Sequence, residues 1–320
     1  MQKILSQNST QARLYPPIDP YETHVMPRDG GHRIYVEQVG NPSGVPVMVL
    51  HGGPGGGCSP LMRRFFNPKI YRIILFDQRG CGRSTPKASV TANTTWDLVG
   101  DIEAIRAELG LGPVISFGGS WGATLALVHA IAHPHAVRHL VLRGVFLGTQ
   151  AELDWFYGGG AGQFWPEAWE RFVALIPKDE RADLIYAYHK RLFGGDLPVE
   201  IQYAQSWSLW ENALASVSSN GHGGALPADY ARAFARLENH YFTNKLFLGE
   251  DNWILRNAGK LQGIPGHIVQ GRYDMICPPT RAYQLHKAWG ASTLRMIPNA
   301  GHAITEAGIS AELIRIMDHI

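Results

Sequence analysis

The chain has 320 residues, of which 45% are hydrophobic and 18% charged, with a formal net charge of +2. That composition is globular, and it gives no electrostatic case for binding nucleic acid or for docking on an anionic membrane. The 3 cysteines are too few for a disulfide framework, no run approaches the ~18 apolar residues of a membrane helix, and Met1 to Pro17 holds no apolar core of signal-peptide length, so a soluble, cytoplasmic protein is expected.

Residues 1–20 are polar, end in a proline-rich run, and are expected to form an irregular arm. A turn at Asp29-Gly30-Gly31 precedes an alternating strand over His32 to Val39. Val45 to Leu50 is a short apolar run, hence a central strand, and it empties into His51-Gly52-Gly53-Pro54-Gly55-Gly56-Gly57. Tyr71 to Phe76 is a further buried strand, followed by Asp77-Gln78-Arg79-Gly80-Cys81-Gly82-Arg83-Ser84. Leu98, Ile102, Ile105 and Leu109 recur at spacings of four, three and four, which predicts a helix stopped by Gly110. From Val114 the chain reads as a buried strand, then a very tight turn with Ser120 at its apex, and the apolar run from Trp121 to about His133 reads as a helix packed under a sheet. Val137 to Arg143 is the next strand. Strands alternating with helices in this order imply a mostly parallel sheet with helices on both faces. From Leu147 to Gly249 no strand is evident, and the segment holds five of the nine tryptophans. Strands return at Gly266 to Gln270 and Thr293 to Ile297. A last helix is marked by Ile309, Leu313, Ile316 and Ile320. The organisation expected is a core over 1–146 and 250–320, interrupted by a helical cap over 147–249.

Gly118-Gly119-Ser120-Trp121-Gly122 fits the G-x-S-x-G nucleophile elbow, in which a strained strand-to-helix turn lifts the serine hydroxyl clear of the sheet. The flanking glycines leave room for strand and helix to meet. A plain glycine-rich turn whose serine caps the helix is the duller alternative, and the buried strand and helix on either side favour the elbow. A serine needs a base to take its proton, and the base needs an orienting acid. In this architecture the acid follows the serine and the histidine comes last. Asp274 lies just past the strand ending at Gln270, and His302 just past the strand ending at Ile297, at the sheet edge where such sites form. Asp274 is therefore the expected orienter and His302 the expected base. The loop at 51–57 supplies the second oxyanion donor, assigned to Gly53 with Gly52 as the alternative, beside the backbone N–H of Trp121. No Gly-Lys-Ser/Thr follows, so a phosphate loop is disfavoured. The 77–84 segment reads mainly as an arginine-braced turn. Cys58 and Cys81 form no metal pattern, and no metal site is expected. Cys277 reads as packing, with a bulky thiol adduct there expected to disturb the triad.

The set HGGPGG at 51–56, DQRGCGRS at 77–84, GGSWG at 118–122, GRYDMICP at 271–278 and AGH at 300–302 resembles the proline iminopeptidases, α/β-hydrolase-fold serine exopeptidases. The resemblance spans nearly the whole chain. Ala307, after Glu306, departs from it where a proline is expected. The resemblance implies release of N-terminal proline from peptides without a cofactor. It also implies that Glu211 and Glu238 ligate the substrate amine and that Phe146, Phe156 and Phe242 line an apolar slot. Read alone, each glutamate fits a solvated helix position and each phenylalanine an ordinary core site. An exopeptidase must nevertheless neutralise a free cationic amine, and that requires carboxylates or carbonyls close by. The rival readings are an esterase or amidase for other small acyl groups, and a non-catalytic binding protein of the same fold. The oligomeric state is left open.

Overall fold

The computed structural model describes residues 13–217 and 226–320. Most of the expected arm over 1–20 lies outside the described residues, as does 218–225 of the expected cap. The strands are β1 (Glu22–Pro27), β2 (Arg33–Gly40), β3 (Val45–Leu50), β4 (Tyr71–Phe76), β5 (Val114–Ser120), β6 (Val137–Val145), β7 (Gly266–Gly271) and β8 (Ser292–Ile297). They form one sheet in the order β1-β2-β4-β3-β5-β6-β7-β8. The first two pairings, β1 with β2 and β2 with β4, are antiparallel, and those from β4 onward are parallel. The mostly parallel sheet expected from the alternation is thus present.

Alternation along the strands sorts the core into two layers, because successive side chains point to opposite faces. Met48, Leu50, Ile74, Phe76, Leu140 and Leu142 face α1 (Thr95–Glu108), α2 (Trp121–Ala132) and α9 (Pro279–Ala288). Val47, Val49, Ile73, Leu75, Val141 and Val269 face α10 (Ala307–Met317) and the short helical turn at Pro60–Phe65. α1 starts with a capping box between Thr94 and Asp97, which satisfies two of the amides that a helix start leaves open. α2 is buried from Trp121 to Ile131, as its all-round apolar character requires.

Between β6 and β7 run α3 (Gln150–Tyr157), α4 (Pro166–Ala174), α5 (Leu184–Leu192), α6 (Leu197–Leu214), α7 (Ala228–Thr243) and α8 (Trp253–Asn257). Their aromatic side chains pack on one another: Phe172 stacks on Tyr188 at 4.6 Å and Tyr157 on Trp207 at 4.4 Å between ring centroids. α7 rests on the glycine loops of the core. Leu237 lies against Gly55 and Gly80, and the Tyr230 hydroxyl donates to the Gly56 carbonyl at 3.1 Å.

Three local expectations are corrected. β1 pairs along β2 where the sequence showed no strand. It is an edge strand with only Met26 buried, so no apolar alternation marks it. α9 was not expected, and it buries only Ala282 and Leu285. Ile320 lies beyond α10 and is 39% exposed, so the last apolar repeat does not continue the helix.

Candidate active site

The C-terminal ends of β3, β5, β6, β7 and β8 deliver five loops to one place, as parallel α/β sheets do. The elbow after β5 is the most constrained. Ser120 has φ 58° and ψ −126°, a conformation that costs a non-glycine residue free energy and is kept where the surroundings over-determine it. They do so here. A Cβ on Gly118 would stand 2.2 Å from the Gly122 carbonyl oxygen, and one on Gly122 would stand 2.0 Å from that of Leu50. Strand and helix therefore meet as closely as backbones allow. Trp121 is the first residue of α2, so its N–H has no acceptor within the helix.

Asp274 and His302 are joined directly. His302 Nδ1 lies 3.0 Å from Asp274 Oδ1 and 2.8 Å from Oδ2. The same carboxylate accepts from the Ile276 and Cys277 amides at 3.1 and 2.8 Å and from Gln270 Nε2 at 3.0 Å. Five contacts on two buried oxygens hold it in one orientation. The Nδ1 proton faces the carboxylate, which leaves His302 Nε2 as the basic nitrogen. Arg143 Nη1 donates to the His302 carbonyl at 2.8 Å. The Cys277 thiol lies beside the Ser120 hydroxyl. Burial pushes that thiol well above its ordinary pKa, so Cys277 is a neutral packing group rather than a thiolate. Asp274, Cys277 and His302 bring ligating atoms within 4.8 Å of one another, but the carboxylate already serves the hydrogen bonds given above.

A cavity of about 380 Å³ opens over this edge. Gly52, Gly53, Ser120 and His302 line it from the sheet side, and Phe156, Glu211, Glu238 and Phe242 from the inserted helices. Phe146 lines it as well, at the end of β6, with its ring edge-on to Phe242 at 5.9 Å. Of the expected catalytic, oxyanion and substrate-binding residues, Asp274 and Trp121 stand behind the lining. Asp274 acts through His302, and Trp121 was invoked for its backbone alone.

The two glutamates are not solvated. Glu238 is 2% exposed and Glu211 9%. Tyr157 Oη donates to Glu211 at 2.6 Å, and Trp207 Nε1 donates to Glu238 at 2.7 Å. The two carboxyls also interact directly with each other, and a hydrogen bond between two carboxyls requires a proton on one of them. Burial pushes both above the ordinary carboxyl range, and for Glu238 the charge of Glu211 adds to it. The solvated position that each glutamate fits when read alone does not hold, because the α6–α7 contact encloses them.

Tyr157 and Trp207, the donors to this pair, were not singled out as site residues in the sequence. A signal existed. Glu211 continues the buried stripe Ala204–Trp207–Glu211–Leu214, and Glu238 the stripe Ala231–Ala235–Glu238–Phe242. A carboxylate in the apolar phase of a helix needs a partner in the fold.

Fold and site together define a hydrolase-type cleft, with an elbow serine, a carboxylate-held histidine and backbone donors at the edge of a parallel sheet. A family model described as "alpha/beta hydrolase fold" matches residues 45–307. The proline iminopeptidase of Xylella fastidiosa (strain 9a5c) is 50% identical over 295 residues, 92% of this chain and 94% of that protein. The proline iminopeptidase of Arabidopsis thaliana is 50% identical over 94% of this chain and 80% of that protein, and that of Neisseria gonorrhoeae 47% over 90% and 93%. Among solved structures, an esterase from Exiguobacterium antarcticum aligns with a TM-score of 0.60 at 20% identity, covering 93% of this chain and 98% of that one. At that identity the likeness speaks to the fold. The chain belongs to the α/β-hydrolase family and, within it, to the proline iminopeptidases.

Proposed function

We propose that the protein is a serine exopeptidase that releases proline from the N-terminus of peptides. Ser120 attacks the carbonyl of the first residue. His302 takes the hydroxyl proton through Nε2 and returns it to the leaving amine, while Asp274 holds the imidazole in the productive tautomer. The N–H groups of Gly53 and Trp121 receive the developing oxyanion. An acyl-enzyme results, and water activated by His302 releases proline. The Ser120 hydroxyl engages His302 when substrate fills the cavity, since nucleophile–base hydrogen bonds often tighten only in the complex. The helical segment 147–249 acts as the cap that closes the cleft. Phe146, Phe156 and Phe242 pack the pyrrolidine ring. The reaction needs no metal or cofactor, and the reading places it in the cytoplasm, consistent with free Cys58, Cys81 and Cys277. No helix among the described residues is long and apolar enough to cross a membrane.

The observation that carries this reading is the buried glutamate pair facing Ser120 across one cavity. A pair sharing one proton bears a single negative charge in an aromatic surround. A cationic secondary amine supplies the missing positive charge and two N–H donors, and a peptide that continues past its N-terminus supplies neither. The test compares a prolyl arylamide, its N-acetylated form and an aryl acetate on the purified protein. Rapid turnover of the first with little of the second supports the reading, and turnover of the acetate alone discards the assigned substrate.

A further inference from the structure

The 77–84 segment takes no part in the chemistry above, yet its second residue stands between the two halves of the oxyanion pocket. Gln78 follows the end of β4 and is 2% exposed. Its backbone N–H donates to His51 Nε2 at 3.0 Å, and its side-chain Nε2 donates to the His51 carbonyl at 3.0 Å. Its Oε1 accepts from the indole Nε1 of Trp121 at 2.8 Å. A carbonyl on one side and an indole N–H on the other fix which way the amide faces.

His51 is the residue before Gly52 and Gly53. Its Nε2 accepts from Gln78, and its Nδ1 lies 2.9 Å from the Gly52 carbonyl and 3.1 Å from the Gly57 amide, so the ring ties both ends of the 51–57 loop to Gln78. Burial pulls its pKa down, which keeps the ring neutral and this arrangement intact. Gly52 in turn packs on the nucleophile, for a Cβ placed there would meet that of Ser120 at 3.4 Å. One planar amide thus bridges the start of the 51–57 loop and the first residue of α2, the two segments that carry the proposed oxyanion donors.

We propose that Gln78 is a positioning residue of the reaction, and that it sets the spacing between the Gly53 and Trp121 N–H groups. The proposal rests on the oxyanion assignment made above. Oxyanion stabilisation depends on donors fixed before charge develops, so a small displacement costs rate rather than substrate affinity. Glutamine is required because one group must donate at one end and accept at the other. Glutamate would set an acceptor against the His51 carbonyl, and methionine keeps the length without either bond.

Gln78→Met, Gln78→Glu and Trp121→Phe are compared with the unsubstituted protein on a prolyl arylamide and an aryl acetate. Binding of a boronic acid, which forms a tetrahedral adduct on the serine, is measured beside inhibition by free proline. We expect kcat to fall about 10- to 100-fold on both substrates, with KM within about twofold. Boronate affinity falls by the same factor, and proline inhibition is unchanged. Trp121→Phe removes the indole N–H from the other side of the bridge, and its loss should not add to that of Gln78→Met in the double variant.

Folded Gln78→Met with unchanged kcat overturns the proposal, as do fully additive losses or a loss confined to KM. If neither Gln78 variant folds, Trp121→Phe decides: unchanged kcat and boronate affinity overturn the proposal. If the unsubstituted protein neither turns over substrate nor binds boronate, the oxyanion assignment falls and this proposal falls with it. A defect confined to the variants bears on Gln78 alone.

Discussion

The sheet edge and the inserted helices meet in one cavity but hold their polar groups by different means. At the sheet edge the functional atoms are set by backbone. The elbow glycines, the strained Ser120 and the turn around Asp274 leave little freedom, and the Asp274 carboxylate is held by the amides of its own turn together with Gln270 and His302. On the helices, two carboxyls are buried with a tyrosine and a tryptophan as donors, and the substrate amine proposed above would supply the balancing cation. The first arrangement suits chemistry common to many acyl groups. The second suits a choice among them. The comparison predicts that rate and selectivity can be lost separately.

The largest effects should fall on the sheet edge and be indifferent to substrate. Ser120→Ala is expected to lower kcat by about 10⁴- to 10⁶-fold on arylamide and ester alike. Asp274→Asn should follow at about 10⁴-fold, since the His302 tautomer is lost while the fold is retained. Steady-state kinetics on both substrates check these values, and a substrate-dependent loss would blur the division between the two walls.

Next come the helices. Glu211→Gln is expected to lower kcat/KM on the prolyl arylamide about 100-fold, the scale of a buried charge partner removed, and to leave the ester within a few-fold. The pH profile sharpens the same contrast. Burial raises the carboxyl pKa values of the pair. As pH falls through the raised value both carboxyls become neutral and the site loses its charge for an ammonium, so activity on prolyl substrates is lost with acid and regained as pH rises. The acid limb of kcat/KM should lie at higher pH for the prolyl arylamide than for the aryl acetate. Coincident limbs would remove the pair from amine recognition.

The smallest effect tests the seam between the walls. Glu306 Oε1 accepts from Ser216 Oγ and the Val217 amide at 2.9 Å and from the Gly301 amide at 3.3 Å. The Ala215 carbonyl accepts from the His302 and Ala303 amides. The end of α6 is thereby tied to the loop of the base. Glu306→Ala should cost about 1–2 kcal/mol of stability in denaturant titration and only a few-fold in kcat on either substrate.

The same contrast explains what the sequence disclosed. Gly118, Ser120 and Gly122 are legible because steric necessity writes itself as residue type at fixed spacing. Asp274 and His302 are legible because they follow apolar strands in a fixed order. The central strands are legible for the same reason, whereas the exposed edge strand β1 and the lightly buried α9 leave no apolar pattern to read. Glu211 and Glu238 emerge only through the family resemblance. Their burial is decided by how α6 meets α7, which no local pattern specifies, although their place in apolar helical stripes was a sign available without it. Tyr157 and Trp207 were hidden among core aromatics, because a hydrogen bond from a buried ring depends on tertiary contact. Gln78 is quieter still, since a buried amide in a turn carries no charge to demand a partner.

The central claim, that selectivity for a free N-terminal amine resides in the buried carboxyl pair and turnover in the sheet edge, is tested most directly with Glu238→Gln. The quantity to measure is kcat/KM for the prolyl arylamide divided by that for the aryl acetate, in the variant and in the unsubstituted protein. The account predicts that this ratio collapses by about 100-fold while labelling of Ser120 by a fluorophosphonate proceeds at an unchanged rate. An equal loss on both substrates, with the ratio preserved, would contradict it.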